Sequence, residues 1–249
     1  MDLRSRWDRV DGLRMHSCVS ARSGGPGSIV LVHGIGVASH YMLPTAEALT
    51  SHYAVQAPDL PGFGRSDAPS ELLDVSGLAG ALAAWIRELS LEPAAVLANS
   101  FGCQVAVDLA ARFPTLAGSL VLVGPTVDRR ARSWHGQLGR WIRNAPREPL
   151  SLGLVVARDY LTTWPLRIAR TFNAALADAI EEKAPRVVLP TLVVRGSEDP
   201  IAPAEWVQEL ASRFPCGEVL ELPGAAHTAN YSHPEALATA TVRFLERAR

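Results

Sequence analysis

The sequence predicts an α/β fold: a mostly parallel sheet of eight strands with helices on both faces and an inserted helical cap. Three observations predict it. Short, nearly continuous apolar segments recur along the chain, as expected for strands buried on both faces of a parallel sheet. Segments with helical spacing alternate with them, which places helices on both faces. One interval, residues 125–186, contains no strand-like segment and predicts a cap, or lid, inserted into a core formed by 1–124 and 187–249.

The predicted strands begin with a hairpin. Residues 6–10 and 13–19 flank Asp11-Gly12, a dipeptide that favours a tight turn, so they are expected to form antiparallel edge strands. A loop is expected at 21–27. The remaining strands are expected to be buried and parallel: 28–32, 53–58, 94–99, 119–123, 191–195 and 218–222.

Helices are expected to cover this sheet on both sides. They lie at 44–51, 74–89, 203–213 and 234–247, and another begins directly after Ser100 and ends near Phe113. Within 74–89 the apolar residues share one helical face, which is the face expected to pack on the sheet. The cap is expected to consist of short helices, because prolines interrupt it at positions 146, 149, 165 and 185.

Composition and charge restrict the class of protein. The 249 residues are 48% hydrophobic, enough for a sizeable core, and the net charge of −1 provides no overall field for nucleic acid or an anionic membrane. No apolar run reaches the ~18 residues of a membrane-spanning helix, and the charged N-terminus lacks the apolar segment of a signal peptide. Three scattered cysteines without C-x-x-C spacing favour free thiols and no structural zinc site. We therefore expect a cytoplasmic protein that binds a small molecule, with no metal, cofactor, nucleic acid or membrane partner.

The strand at 94–99 stops at Ser100, and a helical pattern begins at once. A serine on so short a strand-to-helix turn is pushed outward on a strained backbone, which is the geometry of the nucleophile elbow, G-x-S-x-G. Residues 98–102 read Ala-Asn-Ser-Phe-Gly, with alanine in place of the first glycine. Small residues suit both flanking positions, because strand and helix approach closely there. The alternative interpretation is a serine that only caps the helix.

A serine hydroxyl is a poor nucleophile unless a base removes its proton and an acid orients that base. Asp199 follows the strand at 191–195, and His227 follows the strand at 218–222. The chain order Ser100, Asp199, His227 therefore predicts a catalytic triad. Glu198 and Asp128 are alternative positions for the acid.

Five short segments, each at the end of a predicted strand, carry a resemblance to a known family. They read His33-Gly34-Ile35-Gly36, Asp59-Leu60-Pro61-Gly62-Phe63-Gly64-Arg65-Ser66, Asn99-Ser100-Phe101-Gly102, Gly196-Ser197-Glu198-Asp199 and Gly224-Ala225-Ala226-His227. In this order they make the chain resemble an α/β-hydrolase fold enzyme over nearly its whole length. We expect the second segment to be structural, a tight turn in which Arg65 pairs with Asp59.

The resemblance implies further functional residues. The oxyanion of a tetrahedral intermediate would be held by the backbone N–H groups of Phe101, which follows the nucleophile, and of Ile35. His33 would brace the oxyanion loop without transferring protons. Gly34 and Asn99 would contact the substrate.

A serine at the elbow implies acyl transfer, in which an acyl-enzyme forms and water then hydrolyses it. The haloalkane dehalogenases and epoxide hydrolases of this fold use an aspartate there instead. We therefore expect a hydrolase that acts on carboxylic esters of small or hydrophobic substrates.

Two alternatives stay open, because a fold does not determine a substrate. Residues 99–102 and the compact cap also resemble carbon–carbon bond hydrolases of the meta-cleavage-product type, and an arginine-rich cap would suit a substrate carboxylate. Against this, Thr228 follows His227, where that group typically has tryptophan, and its oxyanion loop is usually richer in glycine. The other alternative is a ligand receptor on the same fold with little turnover. The sequence leaves the oligomeric state open.

Overall fold

The computed structural model describes residues 3–21 and 27–248, apart from the side chain of Thr162, and contains one mixed sheet. Its strands are β1 Leu3–Val10, β2 Leu13–Ser20, β3 Ser28–Val32, β4 Ala54–Pro58, β5 Ala94–Asn99, β6 Ala117–Val123, β7 Thr191–Gly196 and β8 Gly217–Leu222. Their order across the sheet is β1-β2-β4-β3-β5-β6-β7-β8. The predicted loop at 21–27 falls mostly on residues 22–26, which lie outside the described residues.

The opening hairpin turns at Asp11 and Gly12, whose φ angles are 49° and 82°. Positive φ at both central residues is typical of a type I′ turn, whose twist matches that of the flanking strands. β1 pairs with β2 and β2 with β4 in antiparallel fashion, whereas the other neighbouring strands pair in parallel. The predicted fold class, an eight-stranded mostly parallel sheet with an antiparallel edge, is confirmed.

The helices are α1 Leu43–Leu49, α2 Val75–Glu88, α3 Phe101–Arg112, α4 Trp134–Asn144, α5 Leu150–Thr162, α6 Pro165–Ala177, α7 Ile180–Lys183, α8 Ala204–Ala211, α9 Ala229–Ser232 and α10 Pro234–Arg247. Five were expected from the sequence outside the cap, and their bounds differ by a few residues at the ends. Asp74, expected inside α2, is instead its N-cap, and its Oδ1 accepts from the Gly77 N–H at 2.8 Å. Among the described residues, no helix combines the length and the apolar character that a membrane span requires.

Two hydrophobic cores lie on opposite faces of the sheet, which explains the continuous apolar segments. In β3, Val30 and Val32 belong to the first core, while Ile29 and Leu31 belong to the second. Helices α2, α3 and α8 contribute to the first core, and α1 and α10 to the second. Because side chains alternate along a strand, both faces require apolar residues.

Residues 125–186 contain helices α4 to α7 and three short 3-10 turns, and no strand. The prolines act as the sequence indicated. Pro149 is the N-cap of α5, Pro165 is the first residue of α6, and Pro146 and Pro185 lie within 3-10 turns. We refer to residues 125–186 as the insertion; that it forms a separate cap on the core stays a prediction.

The first turn of α3 lies very close to β3. A Cβ atom on Gly102 would stand 2.6 Å from the carbonyl oxygen of His33 and 2.7 Å from that of Val32. These are backbone atoms, so they cannot move aside as a flexible side chain would. Only glycine therefore allows the helix to begin at this distance from the strand.

We predict that Gly102→Ala destabilises the fold by about 1–3 kcal/mol, because the new methyl group overlaps backbone atoms. Gly139 is the matched control, since it lies inside α4 with nothing within 4 Å of an added Cβ. Gly139→Ala should stabilise by up to ~1 kcal/mol through helix propensity. Chemical denaturation of both variants measures the difference. Equal stability of the two variants would contradict the close approach.

Candidate active site

Ser100 occupies the sharp turn between β5 and α3. Its φ is 56° and its ψ is −122°, a backbone conformation that residues other than glycine rarely adopt. The Ser100 N–H donates to the carbonyl oxygen of Val123 at 2.9 Å, which ties the turn to the neighbouring strand β6. The Ser100 side chain forms no capping hydrogen bond to α3, so the interpretation as a simple helix cap is wrong.

The structure brings Ser100, Asp199 and His227 together from three different loops. The His227 Nε2 lies 2.9 Å from the Ser100 Oγ, and the His227 Nδ1 lies 2.9 Å from Oδ2 of Asp199. Since a carboxylate only accepts hydrogen bonds, Nδ1 carries the proton and Nε2 is free to accept from the serine hydroxyl. This is the arrangement that allows His227 to act as a general base toward Ser100.

Backbone groups and burial hold the Asp199 carboxylate in place. Its Oδ1 accepts from the N–H groups of Ile201 at 2.7 Å and Ala202 at 3.1 Å. Burial alone would raise the pKa of Asp199, but the neighbouring His227 and these N–H donors outweigh it and hold that pKa below its ordinary value. Burial alone would lower the pKa of His227, but the charge and hydrogen bond of Asp199 raise it above its ordinary value. The pair therefore favours a charged carboxylate beside the imidazole.

Gly124 leaves the space that the Asp199–His227 pair occupies. It follows β6 with a φ of 55°, and a Cβ there would stand 2.9 Å from the His227 Nδ1 and 3.2 Å from Oδ2 of Asp199. Gly124 is not among the site residues predicted from the sequence. Its position immediately after a predicted strand of the same sheet was the one feature of the sequence that could have indicated a place in the site.

The loop after β3, which is predicted to hold the oxyanion, is fixed by His33. Its Nε2 accepts from the Leu60 N–H at 3.0 Å, and its Nδ1 lies 2.8 Å from the Gly34 carbonyl oxygen. Burial lowers the pKa of His33, which keeps the ring neutral and able to make both contacts. Ile35 lines the cavity beside Ser100, and Phe101 opens α3, where backbone N–H groups have no partner within the helix. Their function as oxyanion donors stays a prediction.

Gly34 and Asn99 both line the cavity, but their surroundings differ. A Cβ on Gly34 would lie 3.5 Å from the Ser100 Cβ, so this position borders the nucleophile directly. The Asn99 amide is occupied by the protein itself: its Oδ1 accepts from the Tyr41 hydroxyl at 2.7 Å, and its Nδ2 donates to the carbonyl oxygens of Val123 and His227. Asn99 therefore braces the His227 backbone. Contact of either residue with a substrate stays a prediction.

The alternative acids lie in other surroundings. Glu198 is exposed, and its N–H donates to the Ala225 carbonyl oxygen. Asp128 is buried, but its carboxylate binds the guanidinium groups of Arg130 and Arg140. Neither carboxylate has a hydrogen bond to His227 among the described residues.

The expected ion pair between Arg65 and Asp59 is wrong. Oδ2 of Asp59 accepts from the Arg65 backbone N–H at 2.9 Å, and the His16 Nδ1 lies 2.9 Å from the same oxygen. The Arg65 guanidinium donates to the Ser5 hydroxyl instead. Burial favours the neutral acid and would raise the pKa of Asp59. The hydrogen bonds that Asp59 accepts from His16, from the Arg65 N–H and from the Ser39 N–H outweigh burial and lower this pKa to about 2. That the segment is structural stays a prediction.

A cavity of about 490 Å³ opens beside the Ser100 hydroxyl. Its lining is mostly apolar, and the insertion supplies much of it: Trp141, Asn144, Ala145, Glu148, Pro149, Leu150, Leu152, Gly153, Val156, Ala157 and Tyr160. None of the described arginines lines this cavity. Four of them are paired elsewhere, Arg129 and Arg130 with Glu209, Arg132 with Glu181 and Arg140 with Asp128. A carboxylate, Glu148, lines the cavity instead.

Comparisons with known proteins agree on the family. A model of the alpha/beta hydrolase family matches residues 29–240. The chain is 29% identical over 198 residues to a haloalkane dehalogenase of Mycolicibacterium paratuberculosis, covering 77% of this chain and 64% of that protein. It is 25% identical over 254 residues to a pyrrolizixenacetamide deacetylase of Xenorhabdus hominickii, covering 91% and 92%. The chain thus spans under two thirds of the first relative and nearly all of the second.

A solved structure shares the fold over nearly the whole chain. The enol-lactonase from Burkholderia xenovorans superposes with a TM-score of 0.83 at 24% identity, covering 97% of this chain and 100% of that one. This likeness shows the fold.

We predict that the pKa of His227 lies above the ordinary histidine value of about 6.5 and falls below it in Asp199→Asn. The amide still accepts a hydrogen bond but carries no charge, so burial then dominates and disfavours the imidazolium. NMR titration of the His227 ring measures both values. Glu198→Gln is the matched control, because it makes the same change on the adjacent exposed side chain. An equal shift in that control would contradict the assignment of Asp199.

Proposed function

The chain belongs to the alpha/beta hydrolase family, and on that basis we propose that it hydrolyses carboxylic esters of small or hydrophobic substrates by acyl transfer. The observation that carries this proposal is the continuous chain of contacts from the Ser100 Oγ through His227 to Asp199, at 2.9 Å each. The activities of the deacetylase and the enol-lactonase, both named for hydrolysis of an acyl derivative, support it.

In the proposed mechanism the Ser100 Oγ attacks the ester carbonyl carbon while the His227 Nε2 takes the hydroxyl proton. Asp199 stabilises the resulting imidazolium and keeps the ring oriented. The backbone N–H groups of Ile35 and Phe101 hold the negative oxygen of the tetrahedral intermediate. His227 then returns the proton to the leaving alcohol, which leaves an acyl group on Ser100.

Water completes the reaction. His227 takes a proton from a water molecule, and the resulting hydroxide equivalent attacks the acyl-enzyme carbonyl carbon. Collapse of the second tetrahedral intermediate releases the carboxylic acid, and the proton on His227 returns to the Ser100 Oγ. The proton transfers use Ser100 and His227, and His227 contacts Asp199; each pair already lies within hydrogen-bonding distance.

Serine at the elbow also separates the proposed activity from that of the dehalogenase relative. Dehalogenases of this fold attack an alkyl carbon with an aspartate, whereas position 100 carries a hydroxyl. A hydroxyl activated by a histidine is suited to a carbonyl carbon, because the oxyanion that forms has N–H donors nearby.

The cavity favours uncharged acyl groups. Its lining is largely apolar, its one acidic side chain is Glu148, and no described arginine borders it. A substrate carboxylate would therefore lose its hydration and meet a like charge. This argues against the carbon–carbon hydrolase alternative, because that alternative needs arginines of the cap to receive a substrate carboxylate.

We predict that Ser100→Ala and His227→Ala each lower kcat for short p-nitrophenyl esters by at least about 10⁴-fold. Both should also abolish labelling by a fluorophosphonate probe, which reacts with an activated serine. Cys103→Ala is the control, because that thiol lies next to the elbow but is buried, and burial raises its pKa. Near-wild-type turnover in either triad variant would contradict the mechanism. A wild-type protein that is not labelled at all would favour the receptor alternative.

We predict that p-nitrophenyl butyrate is hydrolysed with a kcat/KM at least about tenfold above that of mono-p-nitrophenyl glutarate, which adds a terminal carboxylate. A lactone and a ring-fission dienoate complete the panel. Initial rates are measured side by side at one pH and ionic strength. A preference for the carboxylate-bearing ester, or turnover of the dienoate alone, would contradict the proposed substrate class.

A further inference from the structure

Two side chains of the insertion reach the loop that carries His227. The Asn144 Oδ1 accepts from the backbone N–H of His227 at 3.3 Å. The Glu148 Oε1 accepts from the backbone N–H of Thr228 at 2.9 Å, and its Oε2 accepts from the Thr228 hydroxyl. The Asn144 Nδ2 also donates to Oε1 of Glu148 at 2.9 Å, so the two side chains form one hydrogen-bonded unit.

Local structure places this pair at the end of α4. Asn144 is the last residue of that helix, and the 3-10 turn Ala145–Arg147 then redirects the chain so that Glu148 follows within four residues. Pro149, the N-cap of α5, lies immediately beyond. The two polar side chains therefore project from a short segment bounded by regular structure on both sides.

The His227 backbone is held from two directions. From the core, the Asn99 Nδ2 donates to the His227 carbonyl oxygen at 3.3 Å. From the insertion, Asn144 accepts from the His227 N–H. Of the two side-chain hydrogen bonds to the His227 backbone among the described residues, the insertion thus supplies one and the core supplies the other.

We propose that Asn144 and Glu148 act as a latch, a pair of positioning residues through which the docked insertion places His227 against Ser100. This inference rests on the proposed function, because it assigns the latch to the same reaction. A protein whose insertion is displaced would keep its triad residues but lose the N–H acceptors that orient the base.

Charge gives the latch a second effect on the same histidine. The charged groups that act on the His227 imidazole are Asp199 and Glu148, and two further titratable groups, Tyr41 and Tyr160, line the same cavity. Burial raises the pKa of both tyrosines, so they stay neutral. The Glu148 carboxylate adds to the effect of Asp199 in raising the pKa of His227. Removing its charge should therefore make the imidazole lose its proton at lower pH.

The test compares Glu148→Gln, Glu148→Ala and Thr228→Val with the wild type, using an uncharged p-nitrophenyl ester. Glu182→Gln is the matched control, since it makes the same change on an exposed side chain of the insertion. We measure kcat, KM and the pH dependence of kcat/KM, and we titrate the His227 ring by NMR. The titration does not depend on turnover.

Glu148→Ala should lower kcat by about 10- to 100-fold with little change in KM, because a displaced base affects the chemical step more than binding. Glu148→Gln should move both the acidic limb of the pH profile and the His227 titration to lower pH. Thr228→Val, which keeps the backbone N–H but removes the hydroxyl, should show a smaller loss of kcat. The control should match the wild type in every measurement.

Wild-type kcat in Glu148→Ala, together with an unchanged His227 titration in Glu148→Gln, would overturn the latch while leaving the proposed function intact. An inactive, unlabelled wild-type protein would instead contradict the proposed function, and the titration would still decide whether Glu148 acts on His227. If Glu148→Ala does not fold, the glutamine and Thr228→Val variants carry the same comparison.

Discussion

The close contact between the first turn of α3 and β3 is the constraint on which the rest of the site depends. Gly102 lets the helix begin against the carbonyl groups of the strand, and Ser100 takes up the sharp turn with a positive φ. Such a conformation persists only when its surroundings over-determine it, and the bond from Ser100 to Val123 is part of those surroundings. The sheet order then brings the loops after β7 and β8 to the same edge as this turn.

Much of the fold could be predicted because its signals are local. Strands buried on both faces need continuous apolar segments, and β3, β5, β6 and β7 all have them. The residues that meet at the elbow could be predicted for a related reason. Parallel strands end at one edge of the sheet, so Asp199 and His227, each just after a strand, had to approach Ser100.

The parts that sequence reasoning missed depend on long-range contacts. Asn99 braces the His227 loop across 128 positions of the chain, and Glu148 reaches Thr228 across 80. No local pattern indicates such a pairing, because a glutamate in a helical insertion resembles any surface glutamate. The ion pair expected between Arg65 and Asp59 was wrong for the same reason, a long-range contact. His16, distant in sequence but adjacent across the fold, takes the position that the nearest arginine was expected to fill.

The His227 backbone is hydrogen-bonded both by the core and by the insertion, and this limits how freely the insertion could be exchanged for one from another protein. His227 and Thr228 are both buried, and their N–H groups depend on oxygen atoms that the insertion provides. A transplanted segment without equivalent oxygen atoms would leave two amide hydrogens unsatisfied, at a cost of about 1–3 kcal/mol each. A chimaera could therefore keep an intact sheet and elbow and still hold its histidine loop poorly. Compatibility between core and insertion is thus decided at two backbone amides as well as by the shape of the cavity.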